Sequence, residues 1–326
     1  MKKYLAALVI LILTLLFTAC SAKKEESSIK STEVVNENND DSQRSVNQAI
    51  SGKLNVYTSF YPLYDFAVKV GGDKVNVTNL VPAGTEPHDW EPATTDILSL
   101  EKGDVLIYNG LGLEHWINQV TSSLENKKLV LVEASDGLTP LEGGEEQKTS
   151  EGSDYDPHVW LSIKNAEKEM ENIKNAFVKA DPDNKDYYEV NYKKYAVQFE
   201  ELDIKFSNEL SPFENKDIIV AHKAFAYLCA DYNLNQVAIE GLAADSEPDA
   251  KRMAEIIDFA KEVNIKTIFF EELVSPKVAE TIASETGAET DVLNPLEGLT
   301  QEQLNAGEDY LSIMEENLEA LINALK

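Results

Sequence analysis

Seven apolar or aromatic residues, Tyr188, Tyr192, Tyr195, Phe199, Leu202, Phe206 and Leu210, recur at spacings of 4, 3, 4, 3, 4 and 4. That rhythm is one face of a single long amphipathic helix, and Pro212 stops it, because proline has no amide hydrogen to continue the ladder. About 27 residues at 1.5 Å each span roughly 40 Å, enough to cross from one lobe of a protein to another. A helical connector is stiffer than paired strand crossovers, so large hinge motion is not expected. The helix therefore divides the chain into a lobe at 54–183, a linker at 184–212 and a second lobe at 213–326.

Short β-type runs alternate with helical periods on both sides of it. Leu54–Phe60, Val75–Val81, Asp104–Tyr108 and Leu129–Val132 read as strands, with helices at about 62–71, 93–102 and 113–124. A second series of strands follows at Ile218–Ala221, Gln236–Ile239, Thr267–Phe270 and Glu289–Leu293, with helices near 223–232, 249–263 and 276–286. Such alternation builds βα units, so the expected fold class is α/β: two lobes, each a mostly parallel sheet flanked by helices, joined by one long helix. The acidic, Gly-rich segment 142–156 has no apolar period and reads as an exposed loop.

The first residues do not belong to that fold. Lys2 and Lys3 precede an apolar run at 4–18 that is too short for a comfortable membrane span, and the run ends in Leu16-Phe17-Thr18-Ala19-Cys20. Residues 1–19 read as a signal peptide, and small residues before Cys20 resemble a bacterial lipobox, with the cut before Cys20 and lipid on its thiol. Residues 21–53 are rich in Ser, Asn, Glu and Asp and poor in large apolar side chains, which describes a disordered tether. The expected location is extracytoplasmic, anchored to the cell membrane through Cys20, as in Gram-positive surface lipoproteins.

Charge and cysteine usage narrow the chemistry. With 58 Asp and Glu against 29 Lys and Arg, the formal net charge is −29, which excludes nucleic acid or anionic lipid as a partner for a basic face. Cys20 and Cys229 are the two cysteines, too few for a disulfide framework or a Cys-type zinc site. Cys229, among Tyr227, Leu228 and Ala230, reads as a buried free thiol.

Three of the four histidines occupy telling places. His88 lies in Pro82-Ala83-Gly84-Thr85-Glu86-Pro87-His88-Asp89-Trp90, just past a strand. His158 lies in Asp156-Pro157-His158-Val159-Trp160, ahead of a helix whose core face is Ile163, Ala166, Met170, Ile173 and Phe177. His222 directly follows the strand Ile218-Ile219-Val220-Ala221. Open α/β sheets place ligands beyond the carboxyl ends of their strands, and imidazole suits a borderline ion such as Zn²⁺. Glu297, in Asn294-Pro295-Leu296-Glu297-Gly298, holds the equivalent place after the last strand. Spacing alone leaves a metal site and ordinary hydrogen-bonded loop histidines as alternatives. His115 falls in a predicted helix and reads as a surface residue.

The segments EPHDWEPATTDI, NGLGLEHW, DPHVWLS, AHKAFAYL, FFEELVSPKVAETIA and LNPLEGLT together resemble the zinc-specific substrate-binding lipoproteins of bacterial ABC importers, the ZnuA-like group, in order over residues 54–326. The resemblance implies one Zn²⁺ held between two lobes by His88 and His158 from the first and His222 and Glu297 from the second. It also implies a permease and its ATPase as partners, and no enzymatic activity. The manganese-binding branch typically has a carboxylate where this chain has His222, which favours zinc. Many zinc members carry a His-rich loop between the first two ligands. Here the loop at 142–156 keeps acids such as Glu142, Glu145, Glu146, Glu151 and Asp154 but has no His, so no tight accessory site is expected in it.

Rival readings are a zinc hydrolase, a manganese importer component and a surface adhesin of the same fold. A hydrolase needs an open coordination position and a general base, and the chain contains no HExxH or GxSxG motif. An adhesin has no feature in its favour beyond exposure. A monomer is expected. If Cys20 carries the anchor, Cys20→Ala should move the protein from the membrane fraction to the soluble one. Unchanged retention, with no lipid label on the wild type, would exclude the lipoprotein reading.

Overall fold

Eight strands and ten helices alternate along the computed structural model, which describes residues 52–143, 154–242 and 248–326. The first lobe contains strands β1 (Leu54–Thr58), β2 (Val75–Asn79), β3 (Val105–Tyr108) and β4 (Val130–Glu133), with helices α1 (Tyr61–Gly71), α2 (Thr94–Leu100), α3 (Ile117–Ser123) and α4 (Ile163–Ala180). Helix α5 (Lys185–Leu210) leads into the second lobe. That lobe contains β5 (Asp217–Val220), β6 (Asn235–Ala238), β7 (Thr267–Phe270) and β8 (Glu289–Val292), with α6 (Ala226–Tyr232), α7 (Ala250–Glu262), α8 (Lys277–Thr286), α9 (Gln301–Ala306) and α10 (Tyr310–Leu325). Residues 51–326 form one compact unit. The expected signal peptide, Cys20 and most of the expected tether lie outside the described residues, as do residues 144–153.

Each lobe has a four-stranded sheet, in the orders β2-β1-β3-β4 and β6-β5-β7-β8. Every neighbouring pair is parallel. Parallel strands need crossovers on both faces, which is why β3, β5 and β7 are nearly continuous apolar runs, whereas β1 alternates. In each order the chain moves outward in both directions from the first strand. The loops after β1 and β3, and those after β5 and β7, therefore diverge and leave a crevice at the carboxyl ends.

The stripe that predicts the connecting helix is what buries it. Tyr188, Phe199, Leu202, Phe206 and Leu210 are buried, and Tyr192 and Tyr195 are partly so. Phe199 meets Phe66 of α1 edge-on at 5.7 Å and stacks on Tyr310 of α10 at 5.2 Å, while Phe206 lies 5.0 Å from Tyr232 of α6. Such aromatic pairs add about 0.5–1.5 kcal/mol each beyond burial. Helix α10 also returns to the first lobe. Asp309 caps it through the Ser312 N–H and receives Lys69 of α1 at 2.7 Å, while Lys69 is paired with Asp65. The Tyr310 hydroxyl donates to the Trp160 carbonyl at 2.7 Å.

Helix α3 begins at Ile117 rather than near 113, because Gly110, Leu111 and Gly112 have φ of 90°, 55° and 91° and form a turn that no helix tolerates. His115 therefore sits ahead of the helix, exposed, with Nε2 3.3 Å from Glu91.

One buried group works against the fold. Glu169 of α4 is fully buried, and neither carboxylate oxygen has a hydrogen-bond partner among the described residues. Burial first, then the charge of buried Glu114, pushes its carboxyl well above the usual range. The folded state therefore keeps a proton on Glu169 that the unfolded chain releases above about pH 4.3. Because the folded state then binds more protons, stability falls as pH rises from there towards the folded value. Glu169→Gln, which cannot ionise, should melt higher than the wild type, with a gap that widens from about pH 5 to about pH 8. Thermal melts showing the same gap at both pH values would contradict a protonated Glu169.

Candidate metal centre

Four loops at carboxyl ends of strands bring His88, His158, His222 and Glu297 together, with one donor atom from each lying within 4.8 Å of all the others. The loop after β2 carries His88 and the one after β4 carries His158. His222 follows β5 by two residues, and Glu297 lies on the loop after β8.

The donor distances are the informative quantity. His88 Nε2 lies 3.0 Å from Glu297 Oε1 and 3.2 Å from His158 Nε2. His158 Nε2 is 3.1 Å from the same oxygen, and His222 Nε2 is 3.3 Å from His158 Nε2 and 3.2 Å from Glu297 Oε1. A regular tetrahedron with metal–donor bonds of about 2.0–2.1 Å has edges of about 3.3 Å. These five edges therefore fit a four-coordinate ion of zinc's size, and the donors, three nitrogens and one oxygen, are of the kind such an ion takes. His158, His222 and Glu297 are buried, and His88 is the most exposed of the four, with 11 % of its side chain accessible.

Two carboxylates behind the centre explain why the nitrogens point inward. Asp156 Oδ1 lies 2.8 Å from His158 Nδ1 and also accepts the His158 backbone N–H. Glu271 Oε1 lies 2.7 Å from His222 Nδ1. In each case a proton on Nδ1 donates to the carboxylate, leaving the Nε2 lone pair free towards the centre. Burial alone would lower the His222 pKa, but Glu271 and then Glu297 hold it well above the usual imidazole range. His158 is raised in the same way, burial opposing and Asp156 prevailing. Burial would raise Glu297, yet His222 and His88 hold it well below the usual carboxylate range. Glu86 steadies His88 differently, accepting its backbone N–H at 3.1 Å.

Glu297 is placed by an unusual stretch of backbone. Leu296, immediately before it, has φ of 58° and is fully buried, a conformation costly for a side chain of that size. The Asn294 side chain accepts the Leu296 N–H at 2.8 Å, and Asn317 of α10 clamps Asn294 through both its backbone N–H and its carbonyl. The loop is tied to the first lobe by the Trp160 indole, which donates to the Pro295 carbonyl at 2.8 Å, and by the Gly84 N–H, which donates to the Leu299 carbonyl at 2.9 Å. A Cβ on Gly298 would stand 3.4 Å from the Thr85 carbonyl, so glycine here lets the two loops approach closely.

All four residues singled out in the sequence thus meet at one point. Asp156 and Glu271 were not recognised as supports. The carboxylate two residues before His158 was a usable signal for the first. The signal for the second was that Glu271 directly follows β7, the strand beside the one leading to His222. Glu272, its neighbour, instead accepts from Asn294 and Gln303.

A crevice at the carboxyl ends of two parallel sheets, closed over a tetrahedral donor set, defines a two-lobed ion-binding protein. Residues 56–324 match the family described as zinc-uptake complex component A, periplasmic, and the chain belongs to that family. It is 44 % identical over 280 residues to the high-affinity zinc uptake system protein ZnuA of Bacillus subtilis, covering 84 % of this chain and 88 % of that one. It is 42 % identical over 277 residues to the zinc-binding lipoprotein AdcA of Streptococcus pneumoniae, covering 83 % of this chain and 55 % of AdcA. The structure of the Zn(II)-bound ZnuA-like domain of that AdcA superposes with a TM-score of 0.75 at 40 % identity, covering 84 % of this chain and 99 % of the domain.

If Glu271 acts through His222, Glu271→Gln should weaken zinc binding by about 10–100-fold with little change in the fold, the usual cost of losing an outer-shell carboxylate. Glu272→Gln should cost far less. Competition titrations in which Glu272→Gln matches or exceeds Glu271→Gln would assign the supporting role to the wrong residue.

Proposed function

We propose that this protein captures Zn²⁺ outside the cytoplasm and hands it to an ABC permease for import, with His88, His158, His222 and Glu297 as the four ligands. The carrying observation is the set of five donor edges near the tetrahedral value, drawn from two lobes. Four protein donors fill the coordination sphere, leaving no position for an activated water, so the site suits carriage rather than catalysis. Three imidazoles favour zinc over Mn²⁺, which prefers more numerous oxygen ligands.

The charges close around the ion. Hydrated Zn²⁺ exchanges its water for three neutral imidazoles and the Glu297 carboxylate, leaving one positive charge, which Asp156 and Glu271 together more than offset from behind. The acidic balance of the chain raises the local concentration of cations. Release requires His88 and His158 to part from His222 and Glu297, and a docked permease supplies that displacement at the loops. The lipid on Cys20 keeps the carrier at the membrane. Among the described residues no helix is long and apolar enough to cross it.

Ligation needs neutral imidazoles, so protons compete with zinc. With His158 and His222 raised by their carboxylates, protons should compete from above the ordinary imidazole value of about 6.5, and affinity should fall steadily as pH drops towards and below it. Zinc should raise the melting temperature far more near pH 7.5 than near pH 5, since stabilisation follows the ratio of free ion to dissociation constant. Glu297→Ala should release zinc faster than wild type by at least the roughly 10–100-fold that outer-shell changes cost, with the apo fold retained. Equal zinc stabilisation at both pH values, or unaltered release from Glu297→Ala, would overturn this ligand set.

A further inference from the structure

Helix α5 turns its long apolar stripe inward, yet a second apolar line runs along its outer face. Val190, Val197 and Ile204 are 65 %, 53 % and 51 % exposed and lie seven residues apart. Seven residues make two turns less about 20°, so the three side chains form a nearly straight line about 21 Å long. They are three of the seven large hydrophobic side chains found exposed among the described residues, a concentration that single scattered surface residues do not produce.

The charges beside this line form a palindrome about Val197. Lys193 and Lys194 precede it by four and three residues, and Glu200 and Glu201 follow it by three and four; all four are exposed. Helical geometry sets Lys194 and Glu201 about 60° and about 40° to one side of the line, and Lys193 and Glu200 about 40° and about 60° to the other. Lys193, Glu200 and Glu201 make no ion pair among the described residues, and Lys194 lies over the Tyr195 ring at 4.7 Å.

Against the expectation of a monomer, we propose that this face binds a second copy of the same chain, the two α5 helices running antiparallel across a two-fold axis at Val197. Such an axis reverses the helix direction and keeps each flank on its own side. Val197 then meets its own counterpart, and Val190 meets the Ile204 of the second copy. On one flank Lys194 meets the second copy's Glu201, and on the other Lys193 meets its Glu200, each pair occurring twice. Parallel pairing in register would set lysine beside lysine and glutamate beside glutamate, which is destabilising. A face complementary to itself is the mark of an isologous interface, and a foreign partner would require no palindrome. One helix face is at the small end of specific interfaces, so the association is weak, on the order of tens to hundreds of micromolar. None of the four proposed ligands lies on α5, so this inference does not depend on the zinc reading.

Sedimentation of residues 51–326 from about 10 µM to about 0.5 mM should show mass rising towards that of a dimer. The pair Lys193→Glu and Lys194→Glu should make the protein monomeric, as should Glu200→Lys with Glu201→Lys. An equimolar mixture of the two variants should associate again, because each restores the charges the other lacks. In this portion Cys229 is buried, so a new surface thiol is the reactive one. Val197→Cys should oxidise to a covalent dimer, whereas Val190→Cys should not. A wild type that stays monomeric throughout would overturn the proposal. So would a dimer that survives the charge reversals, a mixture that does not associate, or Val190→Cys cross-linking as readily as Val197→Cys.

Discussion

Three imidazole nitrogens and a carboxylate oxygen, with five of their six separations at 3.0–3.3 Å, form a cluster that a protein would ordinarily avoid. Lone pairs directed at one point repel each other unless a proton or a cation sits between them. The arrangement is held by carboxylates on the far side of two rings. Asp156 and Glu271 each take an Nδ1–H, fixing ring orientation and the nitrogen that faces inward. With an ion in place, the same carboxylates balance its charge in a buried setting where an uncompensated cation would be costly.

The fold is arranged to place those supports. In the order β6-β5-β7-β8, the strands β5 and β7 are neighbours, so residues just past their ends stand side by side. His222 follows one and Glu271 the other, and their pairing is a direct product of sheet order. The first lobe uses longer loops after β2 and β4 and corrects their greater freedom locally. Glu86 holds the His88 backbone, and Asp156 holds both the backbone and the ring of His158. Glu297 needs the most support, which it draws from Asn294, Asn317 and the strained Leu296.

Much of this was legible in the sequence, for reasons that differ by element. The seven-residue stripe of α5 declared a helix because burial of one face requires that spacing, and the observed Lys185–Leu210 follows it. The strands β3, β5 and β7 were legible because strands buried on both faces have little choice but Val, Ile, Leu and Phe, whereas β2 and β8 are largely polar and follow from the alternation of strand and helix. The start of α3 was not, since a turn at Gly110-Leu111-Gly112 looks apolar enough to continue a helix. The histidines could be picked out because there are four, whereas Glu297 was one acid among 58 and emerged only through the motif around it. Asp156 and Glu271 act by proximity in space. Neither composition nor period records that one carboxylate stands behind a ring from another strand.

The contacts joining the lobes differ in kind, and that difference bears on how an ion could leave. Around α5 the joins are broad: Phe199 against Phe66 and Tyr310, and Lys69 between Asp65 and Asp309. Separating them would expose aromatic surface and strand a buried charge, each costing several kcal/mol. Beside the metal centre the lobes meet through separate hydrogen bonds, from Gly84 to Leu299, from Trp160 to Pro295 and from the Tyr227 hydroxyl to the Asp156 carbonyl, each worth about 1 kcal/mol net. On the proposed delivery to a permease, force applied by the docked partner would therefore act first on the loops that carry the ligands. Movement of the loops by a few ångströms breaks a tetrahedron whose edges are about 3 Å, so release needs no rotation of one sheet against the other. A rigid connecting helix is then an advantage, since it confines the displacement to the four loops where it empties the site.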